Sequence, residues 1–343
     1  MIPGEAGARA HGSDLSDLDE PIRTIAPRKL VPRRDRADTL ATLHMWTQVV
    51  GKIRMAQMPA MNHWWHVPLY VSPRGLTTNS MPYGDRLFQI DFDFVDHRLA
   101  AEDSDGRTFA IDLEPMSVAT FHRAVMDGLA SLDIDVPIRT TPVEVEVAIP
   151  FEEDDEHASY DRDHARAFWV GLSAAHRSLT EFRSGFIGKA SPVHFFWGGF
   201  DLAVTRFCGR TAPLHPGGIP NCPDWVMHEA YSHEVSSAGW WPSSPELGPT
   251  FYSYMYPQPN GFPRSRVTPD RARFDPDLGL FVLREADLQG LPKPEAVLQG
   301  FLQGTYEAGA NLAGWDRPTL EARSPADRAE RLPWPPLQPQ GHR

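Results

Sequence analysis

The stretch that decides the predicted fold is Asn62-His63-Trp64-Trp65-His66-Val67-Pro68-Leu69-Tyr70. A second stretch, Val193-His194-Phe195-Phe196-Trp197-Gly198-Gly199-Phe200-Asp201-Leu202, repeats its plan of one histidine, two aromatic residues and a run of strand-forming residues. Each stretch follows a helical pattern and precedes further strands and another helix. Two tandem helix–strands–helix repeats, related by a pseudo-twofold axis, account for this similarity. The sequence therefore predicts an α+β fold with mainly antiparallel sheets.

The length of the chain agrees with two such repeats, since 343 residues are more than one ordinary domain needs. Changes in composition and periodicity set the predicted boundaries. They give a disordered leader (1–36), a first repeat (37–135), a linker (136–160), a second repeat (161–315) with an insertion (208–250), and a flexible tail (316–343). Because long ordered insertions are often functional, the insertion is a candidate for carrying the site.

Hydrophobic periodicity predicts the main elements of the first repeat. A helix near residues 38–56 carries one apolar stripe, and Ser117 caps a second helix. The alternating stretch from Leu87 to Val95 predicts a strand. On the first helix, three polar residues at four-residue spacing form a separate line, which is expected to face solvent. They are His44, Gln48 and Lys52.

The composition argues against several classes of partner. A formal net charge of −12 disfavours nucleic acids and anionic membranes, because both are bound through clustered Lys and Arg. No apolar run is long enough to span a bilayer, and the first residues contain no apolar export signal. Cys208 and Cys222 are expected to be free thiols in a reducing compartment. The predicted location is therefore the cytoplasm, and the predicted partner is a small molecule.

Histidines and acids in the two aromatic stretches are the candidate metal ligands. Three imidazoles and a carboxylate would suit Zn or non-haem Fe. Residues three apart on a regular strand point to opposite faces, so His63 and His66 cannot both bind one ion without a bulge. With a pseudo-twofold axis, His63 and His194 approach one another from the two halves, which favours a pocket between the repeats. The candidate ligands are His63, His66, His194 and Asp201.

The segment from His228 to Glu234 offers candidate catalytic groups. It differs from a zinc-peptidase helix, because His228 and His233 are five residues apart and therefore lie about 140° apart around a helix. Glu229 and His233 have the four-residue spacing that lets two side chains share a proton or bind a metal. The candidate catalytic residues are Glu229, His233, Glu234 and Arg206. For the first three, a capping or hydrogen-bonding role is the alternative.

Aromatic side chains would form the walls of the predicted pocket. Trp65, Trp197 and Trp240 are the candidate substrate contacts, although Trp-rich strands also form ordinary cores. Arg74 and Lys189 are candidates to pair an anionic substrate, with surface salt bridges as the alternative. No phosphate loop, dinucleotide fingerprint or Gly-x-Ser-x-Gly elbow occurs in the sequence.

Four motifs stand out for their specificity. They are Thr42-Leu43-His44-Met45-Trp46-Thr47-Gln48, Asn62-His63-Trp64-Trp65-His66-Val67, Ser191-Pro192-Val193-His194-Phe195-Phe196-Trp197-Gly198 and Glu229-Ala230-Tyr231-Ser232-His233-Glu234-Val235-Ser236-Ser237-Ala238-Gly239. Together they resemble a bacterial family that is known only as a domain of unknown function. The resemblance extends from about Asp38 to Trp315. It implies a bacterial, cytoplasmic protein and brings with it no activity and no catalytic residues.

The leading hypothesis is an enzyme that acts on a small molecule in a His- and aromatic-rich pocket between the repeats, with a metal ion as an open alternative. A non-catalytic small-molecule binding protein and a structural or interaction protein are the competing hypotheses. Convergent titratable groups in a pocket favour the enzyme, and an aromatic pocket without such groups favours the binding protein. Separately buried histidines with no cavity favour the structural role.

Overall fold

Two antiparallel sheets form the framework of the protein, which the computed structural model describes over residues 33–243 and 247–322. The first sheet contains strands β1 (Tyr70–Val71), β2 (Gly75–Thr77), β3 (Met81–Tyr83), β4 (Arg86–Asp93), β5 (Arg98–Asp103) and β6 (Thr108–Asp112). Their order is β1-β2-β4-β5-β6, and β3 also pairs with β4. The predicted strand from Leu87 to Val95 is thus confirmed as β4, which has three neighbours.

The second sheet is built from the C-terminal half of the chain. Its strands are β7 (His194–Phe196), β8 (Asp201–Thr211), β9 (His233–Trp241), β10 (Thr250–Tyr256), β11 (Arg273–Asp275) and β12 (Leu280–Arg284). Their order is β11-β12-β10-β9-β8-β7, and every pair is antiparallel. The long strands β8, β9 and β10 therefore lie side by side.

Six α-helices within the described ranges complete the fold and confirm the predicted α+β class. They are α1 (Arg33–Gln57), α2 (Val118–Ser131), α3 (Arg162–Ser184), α4 (Asp224–Ala230), α5 (Pro294–Leu312) and α6 (Arg317–Leu320). Ser117 caps α2 as predicted, because its hydroxyl accepts the backbone N–H of Thr120 at 3.2 Å. In the described part of the chain, no helix has the length and apolar character that crossing a membrane requires.

Helices bury one face of each sheet and leave one face of the second sheet for the site. The apolar stripe of α1 is fully buried, and α1 packs against α2 and α3. Helices α3 and α5 cover the face of the second sheet that carries Leu202, Val204 and Trp240. Because side chains alternate along a strand, the residues between these point to the opposite face.

A backbone bridge joins the two sheets. Leu69, directly before β1, and Phe195 in β7 exchange two backbone hydrogen bonds with N–O distances of 2.9 and 2.7 Å. Both residues are completely buried. The two aromatic stretches therefore meet in space, although the pseudo-twofold repeat that was inferred from them stays a prediction.

The first aromatic stretch is a tight turn, so its predicted strand is wrong over most of its length. Asn62–Trp64 form a single 3-10 turn, and extended pairing begins only with Leu69 and Tyr70. His63 and Trp64 have φ angles of 56° and 61°. Two consecutive left-handed residues cannot belong to a strand, so the backbone here overrides the β propensity of the tryptophans.

The second aromatic stretch is a hairpin rather than one strand. Strand β7 ends at Phe196, and β8 begins at Asp201 after a turn in which Phe200 has φ 54°. The register pairs Phe196 with Asp201 across the hairpin. Paired residues point to the same face, so Asp201 lies on the face of the sheet that carries Phe196.

The segment predicted as an insertion contains a central strand. Residues 208–250 include all of β9, which pairs with β8 on one side and with β10 on the other. Its Ser and Gly residues hid this strand, because both have low β propensity. The segment is therefore part of the framework of the second sheet.

The predicted linker (136–160) lies against the core rather than in solvent. Val136, Phe151 and Asp154 are all buried. The Asp154 carboxylate accepts His157 Nδ1 at 2.8 Å. Helix α1 begins at Arg33, within the predicted leader, and the remaining leader (1–32) and tail residues 323–343 lie outside the described residues.

Candidate functional site

A cavity of about 970 Å³ lies against the face of the second sheet that α3 and α5 leave uncovered, and residues of α1 and α4 contribute to its walls. Its floor consists of alternate residues on the three long strands, namely Asp201, Ala203, Thr205 and Phe207 on β8, Val235 and Ser237 on β9, and Tyr252 and Tyr254 on β10. Its walls include Trp64, Trp65, Phe196, Trp197, Trp225 and Trp241. This size and this mixture of aromatic walls and a few polar groups are typical of small-molecule sites.

Trp197 is fixed in the wall by helix α1 and by the first aromatic stretch. Its Nε1 donates to the carbonyl oxygen of Val67 at 2.8 Å. Its ring lies where a Cβ on Gly51 would be, so only glycine at this position lets the indole rest on the helix backbone. A glycine in a helix interior costs about 1 kcal/mol relative to alanine, which indicates that the position of the indole matters.

Asp201 is the first acidic group of the cavity floor. The Tyr252 hydroxyl donates to Asp201 Oδ2, and this bond crosses strand β9 directly above Gly239. A Cβ on residue 239 would collide with the Tyr252 hydroxyl, so glycine is required where the phenol passes. Burial raises the pKa of Asp201 to about 6, and the hydrogen bond from Tyr252 partly opposes that rise.

Glu144 is the second acidic group and comes from the irregular segment before Phe151. Its backbone is left-handed, with φ 61°, and its N–H donates to the carbonyl oxygen of Pro220 at 2.8 Å. The carboxyl group lies against the glycine turn between β7 and β8. A Cβ on Gly199 would lie 3.4 Å from Glu144 Oε2 and 2.9 Å from Asp201 Oδ1, so the two carboxyl groups converge on one point.

The surroundings of Glu144 raise its pKa to about 7, first through burial and second through the negative charge of Asp201. The side chain keeps accessible surface, but that surface belongs to the cavity, whose walls replace much of the bulk solvent. Two neighbouring carboxyl groups thus titrate close to neutral pH.

The polar line of α1 holds Glu144 in place. Gln48 Nε2 donates to the carbonyl oxygen of Val143 at 2.8 Å, and Gln48 Oε1 accepts the Val143 N–H at 2.9 Å. Lys52 Nζ donates to the carbonyl oxygen of Thr141 at 2.7 Å. His44 Nε2 donates to the carbonyl oxygen of Gly198 at 2.8 Å.

The prediction that this line faces solvent is therefore wrong. Gln48 and Lys52 are almost completely buried beneath residues 139–144, whose backbone groups they satisfy. Burial lowers the pKa of His44 to about 4 and that of Lys52 to about 8. His44 is therefore a neutral donor at physiological pH, and its hydrogen bond fixes the glycine turn next to Glu144.

Tyrosine hydroxyls form the remaining polar part of the floor. Tyr231 and Tyr254 share a hydrogen bond of 2.7 Å, and burial is the main cause that raises the pKa of both. Thr205 and Ser237 hydroxyls are 3.0 Å apart on adjacent strands. These groups are neutral donors and acceptors that can orient a bound molecule.

The four predicted metal ligands lie in separate surroundings. His63 Nε2 accepts Lys189 Nζ at 2.8 Å, and Nδ1 donates to the carbonyl oxygen of Ala230 at 3.1 Å. His66 Nδ1 accepts the Met61 N–H at 3.2 Å. Both imidazoles are buried, which is the main cause that lowers their pKa.

The other two members of that set do not join them. His194 is buried beside Phe196, and burial lowers its pKa to about 3, whereas Asp201 bonds to Tyr252. Within residues 33–243 and 247–322, no three His, Cys, Asp or Glu side chains are grouped to hold a metal ion. The structure does not bring the four predicted ligands together, because the first stretch turns where a strand was expected.

Two predicted catalytic residues have structural roles on the helix-covered face of the sheet. Arg206 is fully buried between the rings of Phe182 and Tyr306, with its guanidinium carbon 3.5 and 4.4 Å from their centres. Glu234 Oε2 accepts Arg210 Nη2 at 2.6 Å and Trp315 Nε1 at 2.9 Å. Strand alternation directs both side chains away from the cavity, so neither lies among its lining residues.

Glu229 and His233 do not form the predicted pair. Helix α4 ends at Ala230 and leaves Glu229 exposed, whereas His233 begins β9. The His233 ring instead lies edge-on to the His63 ring, with centres 5.6 Å apart. The four-residue spacing therefore spans a helix end, where it does not bring two side chains together.

Only some of the predicted substrate contacts line the cavity. Trp65 and Trp197 line the cavity, whereas Trp240 is buried on the opposite face against Gly171 of α3. Arg74 pairs with Asp93 in the first sheet at 2.7 Å. Lys189 is used by His63, so neither cation is placed to bind a substrate in the cavity.

The sequence reasoning missed Glu144, Tyr252 and Gly239. One signal was present for the last two: recognising β9 in the Ser236-Ser237-Ala238-Gly239 run would have paired Gly239 with Tyr252 on β10 and with Ala203 on β8, two residues from Asp201. Glu144 had none, because it follows no periodic pattern and is positioned by a helix far away in the sequence.

The fold and the cavity together define an α+β protein with an aromatic-walled site and a pair of convergent carboxyl groups. The chain belongs to a family of unknown function, DUF5996, whose family model matches residues 30–322. The resemblance inferred from the four motifs is thereby confirmed. Neither the curated proteins nor the solved structures contain a match to this chain.

Proposed function

We propose that this protein is an enzyme that acts on a small organic molecule by general acid–base chemistry, with Glu144 and Asp201 as the catalytic residues. The observation that carries the proposal is the convergence of these two carboxyl groups on one point beside Gly199. Both groups line the cavity in which the substrate would lie. Paired carboxyl groups with different surroundings are a common means of supplying one acid and one base.

The two surroundings support different roles. A general acid or base works best when its pKa is near the working pH, and the pKa of Glu144 is about 7. Asp201, with a pKa of about 6 and a hydrogen bond from Tyr252, is the more strongly ionised partner. We therefore assign Glu144 as the proton donor and Asp201 as the base at neutral pH.

A non-catalytic binding protein is the second candidate, because aromatic side chains form much of the cavity wall. This alternative uses the same cavity and differs only in the absence of turnover. We do not propose a metal-dependent reaction, since His63, His194 and Asp201 have separate partners. We propose a cytoplasmic location, which the two free thiols of Cys208 and Cys222 support.

A substrate screen by mass spectrometry tests the proposal. Purified protein is incubated with a panel of small molecules, and compounds that are consumed are compared among wild type, Glu144→Gln and Asp201→Asn. A reaction of the proposed kind falls by a factor of about 100 or more in each variant, because an amide cannot exchange the proton. Glu229→Gln, an exposed change of the same type, is the matched control and retains full activity.

Two results would contradict the proposal. One is turnover that is unchanged in both carboxyl variants. The other is a compound that binds wild type and both variants without any product, which would support the binding protein instead.

A further inference from the structure

We propose that the cavity takes an organic cation, a protonated or quaternary amine, whose charge lies between the two carboxyl groups and the aromatic walls. The inference rests on the proposed function for the location of the site and adds the chemical class of the ligand. Buried carboxylates elsewhere in the molecule pair with basic side chains, and the walls of the cavity carry aromatic rings.

Every fully buried carboxylate in the described residues has a basic partner. Asp93 pairs with Arg74 at 2.7 Å, Asp103 with Arg86 at 2.9 Å, Asp154 with His157 at 2.8 Å, and Asp287 with Arg284 at 2.7 Å. This pattern is expected, because burying an uncompensated carboxylate is costly.

The two cavity acids are more accessible, since Asp201 is half-buried and the Glu144 side chain is exposed to the cavity. Over residues 33–243 and 247–322, neither Glu144 nor Asp201 forms an ion pair with Lys, Arg or His. Asp201 has the Tyr252 hydroxyl, and Glu144 lies against the Gly198 turn. A cationic ligand would supply the counter-charge that the four buried acids receive from side chains.

Basic side chains of the cavity lining form no ion pair with these acids. Lys52 Nζ donates to the carbonyl oxygen of Thr141, and Arg139 is exposed. Within the described residues, neither cation pairs with Glu144 or Asp201. The part of the cavity that these two acids line is its acidic end, and it is left for a ligand.

The aromatic walls favour a cation at this acidic end. Trp241 packs on Tyr252, with ring centres 4.3 Å apart, and Tyr252 donates to Asp201. Aromatic faces attract cations, most strongly when water is displaced. Two other rings of the cavity lining already contact a cation, since Lys189 Nζ lies 5.2 Å from the Trp65 ring centre and 5.0 Å from that of Phe207.

An anionic or neutral ligand fits these observations less well. A negative charge at this end would meet two acidic groups, and a neutral group would leave both without a counter-charge. The volume of about 970 Å³ leaves room for an amine with an aromatic or aliphatic body.

Binding of matched probes tests the inference on the full chain. The probes are benzylamine and benzyltrimethylammonium as cations, benzyl alcohol as the neutral molecule and benzoate as the anion, followed by tryptophan fluorescence and calorimetry. The cations are expected to bind at least tenfold more tightly than benzyl alcohol, and benzoate more weakly still. In Asp201→Asn and Glu144→Gln, the preference for the cations falls about tenfold while the affinity for benzyl alcohol is unchanged.

Two controls keep the result interpretable. Glu229→Gln retains the cation preference, because that exposed residue does not line the cavity. Near-UV circular dichroism of Asp201→Asn and Glu144→Gln should match that of wild type, which separates loss of charge from damage to the floor. Equal binding of benzyl alcohol, tighter binding of benzoate, or a cation preference that survives both carboxyl variants would overturn the inference.

The experiment also separates this inference from the proposed function. Cation binding without any turnover in the substrate screen leaves the ligand class standing and removes the catalytic role. Turnover of an uncharged compound that depends on Glu144 supports the catalytic role and removes the cationic ligand class.

Discussion

Asp103 in the first sheet and Asp201 in the second are both carboxyl groups at the end of a strand, but their surroundings differ. Asp103 Oδ2 accepts Arg86 Nη1 and Arg107 Nε at 2.9 Å each, and Oδ1 accepts the backbone N–H groups of Asp105 and Arg107 at 3.0 Å. Asp201 accepts one tyrosine hydroxyl and faces a cavity. Asp103 thus holds a turn of the first sheet together, whereas Asp201 of the second sheet remains accessible to a molecule in the cavity.

This difference shows how the same residue type stabilises one region and is tolerated in another. A buried acid with several charge-assisted hydrogen bonds stabilises the fold, since its ionised form is favoured. A buried acid with an elevated pKa destabilises the fold at neutral pH, because its ionised form is disfavoured. Acids with a raised pKa are concentrated at functional sites, and Asp201 and Glu144 both lie in the candidate site.

Asp103→Asn should give the largest effect on stability. The substitution removes the charge that Arg86 and Arg107 share, and we expect the free energy of unfolding to fall by about 3 kcal/mol. Urea unfolding followed by circular dichroism measures this. The exposed helical change Asp127→Asn is the control and should alter the free energy by less than about 0.5 kcal/mol. A similar small value for Asp103→Asn would contradict its structural role.

Gly239→Ala should have the next largest effect. The new methyl group would collide with the Tyr252 hydroxyl and the carbonyl oxygen of Leu202, which we expect to cost about 2–3 kcal/mol. Because Tyr252→Phe removes one of these two atoms, the double variant should be less destabilised than the sum of the two single variants. Strict additivity in urea unfolding would show that the phenol does not cross β9 at this glycine.

Gln48→Leu tests how Glu144 is positioned. The change leaves the N–H and the carbonyl oxygen of Val143 without their side-chain partner, which should lower the free energy of unfolding by about 2 kcal/mol. Release of the segment also moves Glu144 away from the cavity wall and from Asp201, so its pKa should fall from about 7 toward that of an ordinary glutamate. Carboxyl-carbon NMR titration measures this pKa. An unchanged pKa would mean that Gln48 does not position Glu144.

Asp201→Asn should give the smallest change, and of opposite sign to Asp103→Asn. The carboxyl group titrates near pH 4 in the unfolded chain and near pH 6 in the folded protein. Folding therefore disfavours its ionised form, so the penalty is absent below about pH 4, grows between these values and is complete above about pH 6.

The amide removes that penalty and can still accept the Tyr252 hydroxyl. At pH 8 we expect Asp201→Asn to be more stable than wild type by roughly 1–2 kcal/mol, since one pKa unit equals about 1.4 kcal/mol and the cavity partly hydrates the group. The gain should vanish at pH 4. Thermal unfolding at both values measures it, and a loss of stability at pH 8 would place Asp201 in the same category as Asp103.

Local patterns predicted the regular elements well. The apolar stripe of α1, the alternation of Phe88, Ile90 and Phe92 in β4, and the Ser117 cap all depend on neighbouring residues, and all three are present. The α+β class followed from them. These signals are local because a helix or strand buries one face at a fixed period.

The site was less predictable because long-range contacts create it. The left-handed turn at His63 and Trp64 has no sequence signature, since neither residue is glycine or asparagine. The line of His44, Gln48 and Lys52 was expected in solvent, and it is buried by a segment about ninety residues later. Trp65, Trp197 and Asp201 were singled out as binding residues and do line the cavity, but the sequence assigned Asp201 to a metal.

The amide of Gln48 meets Val143 with one donor and one acceptor, as a peptide group of a neighbouring strand would. Helix α1 thus takes the place of a neighbouring strand for Val143. The length of the Gln48 side chain sets the distance between the helix and this segment. Asparagine carries the same amide on a shorter stem and could not span that gap without moving the helix. The length of one side chain therefore works as a spacer that determines how far Glu144 projects toward the opposite wall.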